Sequence, residues 1–204
     1  CMDYVKTRSG YFQVQSYLLR SAVFLIRFFH ITVSLILQDL TFRILLNRPA
    51  KRFISYRWKE STLYISIKVE APHNSVRMVS MVGKTIPLYC SGVGKAILAD
   101  MDDDQIRQIW EQSELHTYTA NTVTDYNTFL EVIGAIRNNG YSMDNEEMEI
   151  GVRCIAVSLG CVHHKLPYAI SISAPKDRMK DKQITQYKKL LLNTKKQLLA
   201  ELGQ

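Results

Sequence analysis

Three short stretches of this chain carry side chains suited to holding a small polar molecule. The first is Ser91-Gly92-Val93-Gly94, at what reads as the start of a helix. Glycine lets a backbone come close to a ligand, and the free N–H groups of a first helical turn favour an anion. Charge-assisted bonds of that kind contribute about 1.5–3 kcal/mol each at best. The plainer reading is a Ser91 cap followed by glycines needed for packing. The second stretch is Asp144 with Glu146, Glu147 and Glu149. Such a run is usually a solvated loop, but Asp144 falls at a strand end, where its carboxylate can accept hydrogen bonds from ligand hydroxyls. The third is Cys154 with Ser171 and Ser173. If they face one cavity they offer it a thiol and two hydroxyls; taken alone, Cys154 reads as a small buried hydrophobe.

Other chemistries find less support. A cysteine nucleophile needs a neighbouring base and a depressed pKa. The candidate bases are His73, His116, His163 and His164, and no sequence pattern places any of them beside Cys154 or Cys90. No catalytic residue is therefore assigned. The phosphate-loop pattern G-x4-G-K-[ST] is absent, as is G-x-S-x-G. The four cysteines, Cys1, Cys90, Cys154 and Cys161, include no C-x2-C pair, and His163 and His164 follow Cys161 too closely for a standard zinc pattern. Reduced thiols, no metal and no cofactor are expected.

The elements that must position these groups are legible from residue 61 onward. Thr62–Val69 alternates and is rich in β-branched and aromatic residues, so it predicts a strand, and Val76–Val82 predicts another. Gly83 and Pro87 bracket a turn. Ser91 opens a short helix to Ala99, and Asp102-Asp103-Asp104 opens a second to about Gln112, its acidic first turn suiting the helix dipole. Thr124 or Asp125 caps a third, with Phe129, Val132, Ile133 and Ile136 on one face and Gly140 at its end. Short strands follow at 141–144, 152–159 and 168–174, then a helix from about Asp181 to Leu202. The order β-β-α-α-α-β-β-β-α is not a strict β-α alternation, which favours an α+β fold with helices packed on a mostly antiparallel sheet.

The 204 residues suit a single domain with a small appendage. Residues 1–60 hold 10 Lys+Arg against 3 Asp+Glu, and residues 61–204 hold 16 of each, so the whole net charge of +7 lies in the first part. A basic segment suits nucleic acid or anionic lipid. Residues 22–37 are apolar but interrupted by Arg27 and His30, and they read as a buried or dimer-facing helix rather than a membrane span. No secretory signal is evident. Residues 42–60 follow neither the strand nor the helix period, and Pro49 breaks them. With Cys1 at the start, the amino end is expected to be incomplete and part of residues 20–60 damaged, as by frameshifted translation.

VEAPHNSVRM (69–78), GKTIPLYCSGVGKAILA (83–99), NTVTD (121–125), IRNNGYSMDNEEMEIGVRCIAV (136–157) and PYAISIS (167–173) together resemble the effector-binding domain of the IclR family of transcriptional regulators. The resemblance spans about residues 62–203 and implies a GAF-like α+β domain, a curved, mostly antiparallel sheet flanked by helices. It implies a pocket for a small organic acid, a keto acid or sugar acid, formed by Met78, Gly92, Val93, Asp144, Val152, Cys154, Ser171 and Ser173. It further implies dimers or tetramers, a cytoplasmic location, and operator DNA read by an amino-terminal winged helix-turn-helix. Residues 61–204 would be the effector domain and residues 1–60 a basic remnant of the wing and linker helix. Only Tyr4–Lys6 and Gly10–Phe12 match the wing, as its last strands, and no recognition helix is matched, so weak or no specific operator binding is expected. Gly160-Cys161-Val162-His163-His164 departs from the family's Asp…Gly turn, so a strained hairpin is expected. The reading is thus a ligand-sensing domain of a DNA-binding regulator. The alternatives are a nonfunctional truncated or frameshifted remnant of one, or a cysteine-dependent enzyme.

Overall fold

The computed structural model describes residues 2–7, 10–15, 53–59, 62–69, 85–162 and 166–201. They fall into two compact units, Cys1–Leu45 and Leu46–Gln204. In the first, strands β1 (Met2–Thr7) and β2 (Gly10–Gln15) pair antiparallel, Val5 opposite Phe12. This pair takes in the two segments that resemble the last strands of a wing. The apolar run at 22–37 lies outside the described residues, and no described helix is long and apolar enough to cross a membrane.

The second unit is built on a six-stranded sheet in the order β5-β4-β3-β8-β7-β6, every neighbouring pair antiparallel. Its strands are β3 (Phe53–Lys59), β4 (Thr62–Val69), β5 (Thr85–Pro87), β6 (Ser142–Asn145), β7 (Val152–Val162) and β8 (Leu166–Pro175). β3 corrects the sequence reading. Residues 53–59 lack a clean period, yet they lie inside the sheet, between β4 and β8. The register against β4 shifts between Ser55 and Tyr56, and such an irregularity breaks the two-residue alternation that marks a strand. Thr85–Pro87, expected in a turn, is a short edge strand on β4. Proline is tolerated at such an edge because it owes the ladder no N–H. The expected strand at 76–82 lies outside the described residues.

The helices are α1 (Gly92–Leu98), α2 (Asp103–Glu111), α3 (Tyr126–Asn139) and α4 (Asp181–Glu201), with a 3-10 turn at Lys176–Arg178. Their starts follow the sequence signals. Asp102 closes a capping box with Gln105, and Asp125 accepts from Thr128 N at 2.8 Å. Gly140 ends α3 at φ 72°, a left-handed conformation that glycine adopts freely. Helix α1 lies against β6, β7 and β8. On that side Val93, Ile97, Ile106, Phe129 and Ile133 form the core with Ala156 and Ala169. The alternate residues Ile155, Val157, Ile170 and Ile172 are buried on the opposite face, where Leu191 and Leu198 of α4, which also contacts β7 and β8, complete a second layer. In the β7–β8 hairpin the positive φ falls on Gly160, at 71°, beside a register shift; Glu146, at φ 63°, is the non-glycine residue among those described that shares this region. Cys161 sits in the ladder opposite Pro167, while His163 and His164 lie outside the described residues.

Candidate functional site

The register of β6, β7 and β8 assembles the site. Asp144 stands opposite Cys154, and Cys154 opposite Ser173. Ser171 stands opposite Ala156, two residues along β7, and so shares the face. Gly92, the first residue of α1, sits directly above. A Cβ placed there would lie 3.3 Å from Asp144 N and 3.4 Å from Cys154 Sγ. Ser142, on the same face, donates to the Gly92 carbonyl. One patch of sheet under one helix start therefore collects Gly92, Asp144, Cys154, Ser171 and Ser173, from three stretches up to about eighty residues apart in the sequence.

The remaining expected residues stand differently. Val93 is buried in the hydrophobic core on the α1 side. Val152 is half-buried at the start of β7, opposite Pro175. Met78 lies outside the described residues. Gly94, read from sequence as leaving room for a ligand, instead leaves room for the chain itself: a Cβ would sit 2.2 Å from the Leu88 carbonyl oxygen. Ser91 caps α1 by accepting from Gly94 N at 3.1 Å, and its hydroxyl donates to the Pro87 carbonyl at 2.6 Å.

The acidic stretch is not uniformly solvated. Asp144 and Glu147 are buried, whereas Glu149 and Ile150 are exposed. Asp144 accepts from the Glu147 amide at 2.7 Å. Burial pushes its pKa up to about 6, with the Glu147 charge adding to the rise and Lys95 and the Glu147 and Met148 amides opposing it. Lys95, buried in α1, donates to Glu147 Oε1, and Glu147 Oε2 is buried with no hydrogen-bond partner. Burial raises the Glu147 carboxyl as well. Glu146, also buried, pairs with the half-exposed Lys176 at 2.6 Å and accepts from Gly151 N; both contacts lower its pKa.

Sequence patterns did not mark Lys95, Thr119 or Thr122 as parts of the site, and they left Glu147 in a run that reads as a solvated loop. Thr119 Oγ1 donates to the Glu146 carbonyl and Thr122 Oγ1 to the Glu147 carbonyl, each at 2.7 Å, so the 119–122 turn holds the acidic loop in place. Two threonines three apart in a polar turn gave the only hint, and it is a weak one.

The thiols are poor nucleophiles here. Burial pushes Cys154 up to about 11; the Asp144 charge adds to the rise, and the Ser173 and Ser171 hydroxyls oppose it. Cys90 rises to about 12, again chiefly by burial. Ser171 Oγ stands near enough to influence the Cys154 thiol but has no partner with hydrogen-bond geometry. His116 pairs with Glu114 at 3.3 Å and stacks edge-on against Tyr118. Among the described residues no group of His, Cys, Asp or Glu is placed to hold a metal ion. The arrangement offers a ligand one carboxyl and two hydroxyls around a protonated thiol.

Residues 53–199 match the family model described as bacterial transcriptional regulator IclR, C-terminal. The chain is 35% identical over 161 residues to the DNA-binding transcriptional repressor YiaJ of Escherichia coli K12, covering 78% of this chain and 57% of that protein. It is 34% identical over 145 residues to the regulator KdgR of the same organism, covering 71% of this chain and 54% of the relative. The chain thus spans about half the length of these curated relatives. The crystal structure of the C-terminal domain of Escherichia coli KdgR aligns with a TM-score of 0.71 at 29% identity, over 83% of this chain and 99% of that one. The inducer-binding domain of PobR from Acinetobacter, a double mutant in complex with 3-hydroxybenzoic acid, aligns with a TM-score of 0.66 at 25% identity, over 81% of this chain and 91% of that one.

Proposed function

Because the chain belongs to the IclR family of bacterial transcriptional regulators, with its effector-binding domain over residues 53–199, we propose that this domain senses a small organic acid, a keto acid or a sugar acid, and thereby alters the operator affinity of the regulator it serves. The observation that carries this reading is the convergence of Asp144, Cys154, Ser171 and Ser173 on one sheet face beneath Gly92. The unpartnered Ser171 hydroxyl is a buried group with a hydrogen bond still to make, as a ligand site requires. Asp144 suits a ligand hydroxyl, and Ser171 and Ser173 suit a carboxylate or keto oxygen. Val93 and Val152 complete the proposed effector set as apolar groups, and Met78 is included on the resemblance alone. That a double mutant of PobR's inducer-binding domain holds 3-hydroxybenzoic acid supports the broader class, a small organic acid. The residues before β3 are read as wing and linker, operator DNA and a second copy of the chain as partners, and the cytoplasm as the location. The raised Cys154 and Cys90 pKa values weigh against a cysteine-dependent enzyme, since the thiol and not the thiolate prevails near neutral pH.

A thermal-shift series against 2-keto acids and sugar acids tests the reading. A ligand that binds only the folded chain raises its melting temperature with concentration. Replacing both Ser171 and Ser173 by Ala should weaken such binding by about tenfold or more while leaving a cooperative melt, since each hydrogen bond removed is worth about 0.5–1.5 kcal/mol. Unchanged affinity in that variant would remove this sheet face as the effector site.

A further inference from the structure

The effector reading leaves a charge imbalance. Asp144 and Glu147 are each 6% exposed, and Lys95, at 1%, pairs with Glu147 and lies near enough to Asp144 to oppose the rise of its pKa. Lys95 Nζ is committed to Glu147 Oε1, while Glu147 Oε2 is buried without a partner. Two ionised carboxylates and one ammonium leave the cluster net negative. An acid entering the site would add a second unpaired negative charge to a buried region, which is unfavourable unless something neutralises it. A proton is the simplest remedy, and the unpartnered Glu147 oxygen shows where the charge is least compensated.

We propose that the Asp144–Lys95–Glu147 cluster takes up a proton as an anionic effector binds, so that Lys95 and Glu147 set the pH range over which the site accepts an acid. This rests on the effector reading above. The cluster, an acid anion and a proton combine into one complex that carries the same single net negative charge as the free cluster. The groups that face Asp144 are Lys95 of α1, Cys90 of the preceding turn, Cys154 of β7, and the Glu147 carboxyl and the Glu147 and Met148 amides of its own loop. Both thiols stay protonated, at about 12 and about 11, so they neither supply nor compensate charge near neutrality. Burial raises both carboxyls, Asp144 to about 6, so the ionised cluster is well placed to accept a proton near neutral pH. A site that gains a proton on binding binds more tightly as pH falls. Affinity for an acid should therefore drop by up to about tenfold per pH unit above the cluster's midpoint.

Calorimetric titration of the full chain near pH 7 with pyruvate and with D-gluconate, in phosphate and in imidazole, reads the proton directly. Heats of binding that differ with the buffer's ionisation enthalpy are expected; equal heats overturn the proposal. Glu147→Gln keeps the side chain's shape but removes one negative charge, so its heats should be independent of buffer and its affinity flat with pH. Undiminished proton uptake in that variant also overturns the proposal. If neither acid binds at any pH, the effector reading fails for these two classes, and the cluster is then judged without a ligand. A carboxyl whose folded pKa is raised contributes stability at low pH that is lost as pH rises through the folded value. The melting temperature of the wild-type chain should then fall between about pH 4 and about pH 7, and Glu147→Gln should flatten that fall. If Glu147→Gln gives no cooperative melt, Asp144→Asn replaces it in the same series with the same expectation. A wild-type melting temperature that is flat across the window overturns the proposal.

Discussion

An added methyl group at Gly94 would lie 2.2 Å from Leu88 O, 2.5 Å from Leu88 Cα and 2.6 Å from Leu88 C. These are backbone atoms, so no rotamer change can relieve the overlap. Gly94→Ala should therefore cost about 1–3 kcal/mol or prevent folding, as read by urea unfolding. Gly134 is the control: inside α3, a Cβ there meets nothing within 4 Å. Gly134→Ala should stabilise by about 0.5–1 kcal/mol in the same assay, through the lower backbone entropy of the unfolded chain. The contrast shows why the Ser91–Gly94 motif was only half legible: sequence tells that glycine is needed, not whether a ligand or Leu88 is the near neighbour. The cysteines follow the same logic of environment. Cys161 is exposed, whereas Cys90 and Cys154 are buried with raised pKa values. Iodoacetamide on the native chain should label Cys161 well ahead of the other two by peptide mass spectrometry. Rapid labelling of Cys154 would revive the nucleophile that its surroundings argue against.

Between elements, side-chain hydroxyls bridge a loop that regular pairing does not reach. Thr122 Oγ1 donates to the Glu147 carbonyl at 2.7 Å and accepts from Thr119 N at 3.0 Å, all buried. Thr122→Val keeps the volume but leaves the Thr119 amide unsatisfied and the Glu147 carbonyl with only the long 3.4 Å bond from Thr119 Oγ1, so it should cost about 1–3 kcal/mol in chemical denaturation. It should also weaken effector binding, because the carbonyl it releases belongs to the residue that pairs with Lys95. A stability loss with unaltered affinity would confine the 119–122 turn to a structural role. The local signals at this scale were strong. The caps at Ser91, Asp102 and Asp125 and the glycine at 140 marked helix boundaries because they satisfy backbone groups within one turn. β3 escaped because its irregular register at Ser55/Tyr56 erases the alternation, and one of the two strands it pairs with, β8, lies more than a hundred residues later. Lys95 escaped for a related reason. A lysine in a helix reads as a surface residue, and only the fold brings Glu147 to it.

For the whole molecule, the charge boundary and the structural boundary do not coincide. The excess of +7 ends at residue 60, but the compact units divide between Leu45 and Leu46. Residues 1–45 hold Lys6, Arg8, Arg20, Arg27 and Arg43 against Asp3 and Asp39, a net +3. Residues 46–60 hold Arg48, Lys51, Arg52, Arg57 and Lys59 against Glu60, a net +4. Part of the basic excess therefore belongs to the sheet-bearing unit, through Arg57 and Lys59 of β3. Attraction to DNA phosphates depends on the cations presented and weakens steeply as salt rises, because binding releases condensed counterions. At about 50 mM salt the full chain should retard duplex DNA of any sequence, and by about 200 mM most of that binding should be gone. If the two basic groups act as one field, Lys6, Arg8 and Arg20 changed together to Gln should lower the slope of log K against log salt about as much as Arg48, Lys51 and Arg52 changed together, by up to about 0.9 for each phosphate no longer neutralised. A gel-shift series across salt reads both slopes. A slope that responds to the first triple alone would place the DNA-binding surface on residues 1–45, and retardation that persists at about 200 mM and favours one sequence would mean that base contacts add to the phosphate attraction.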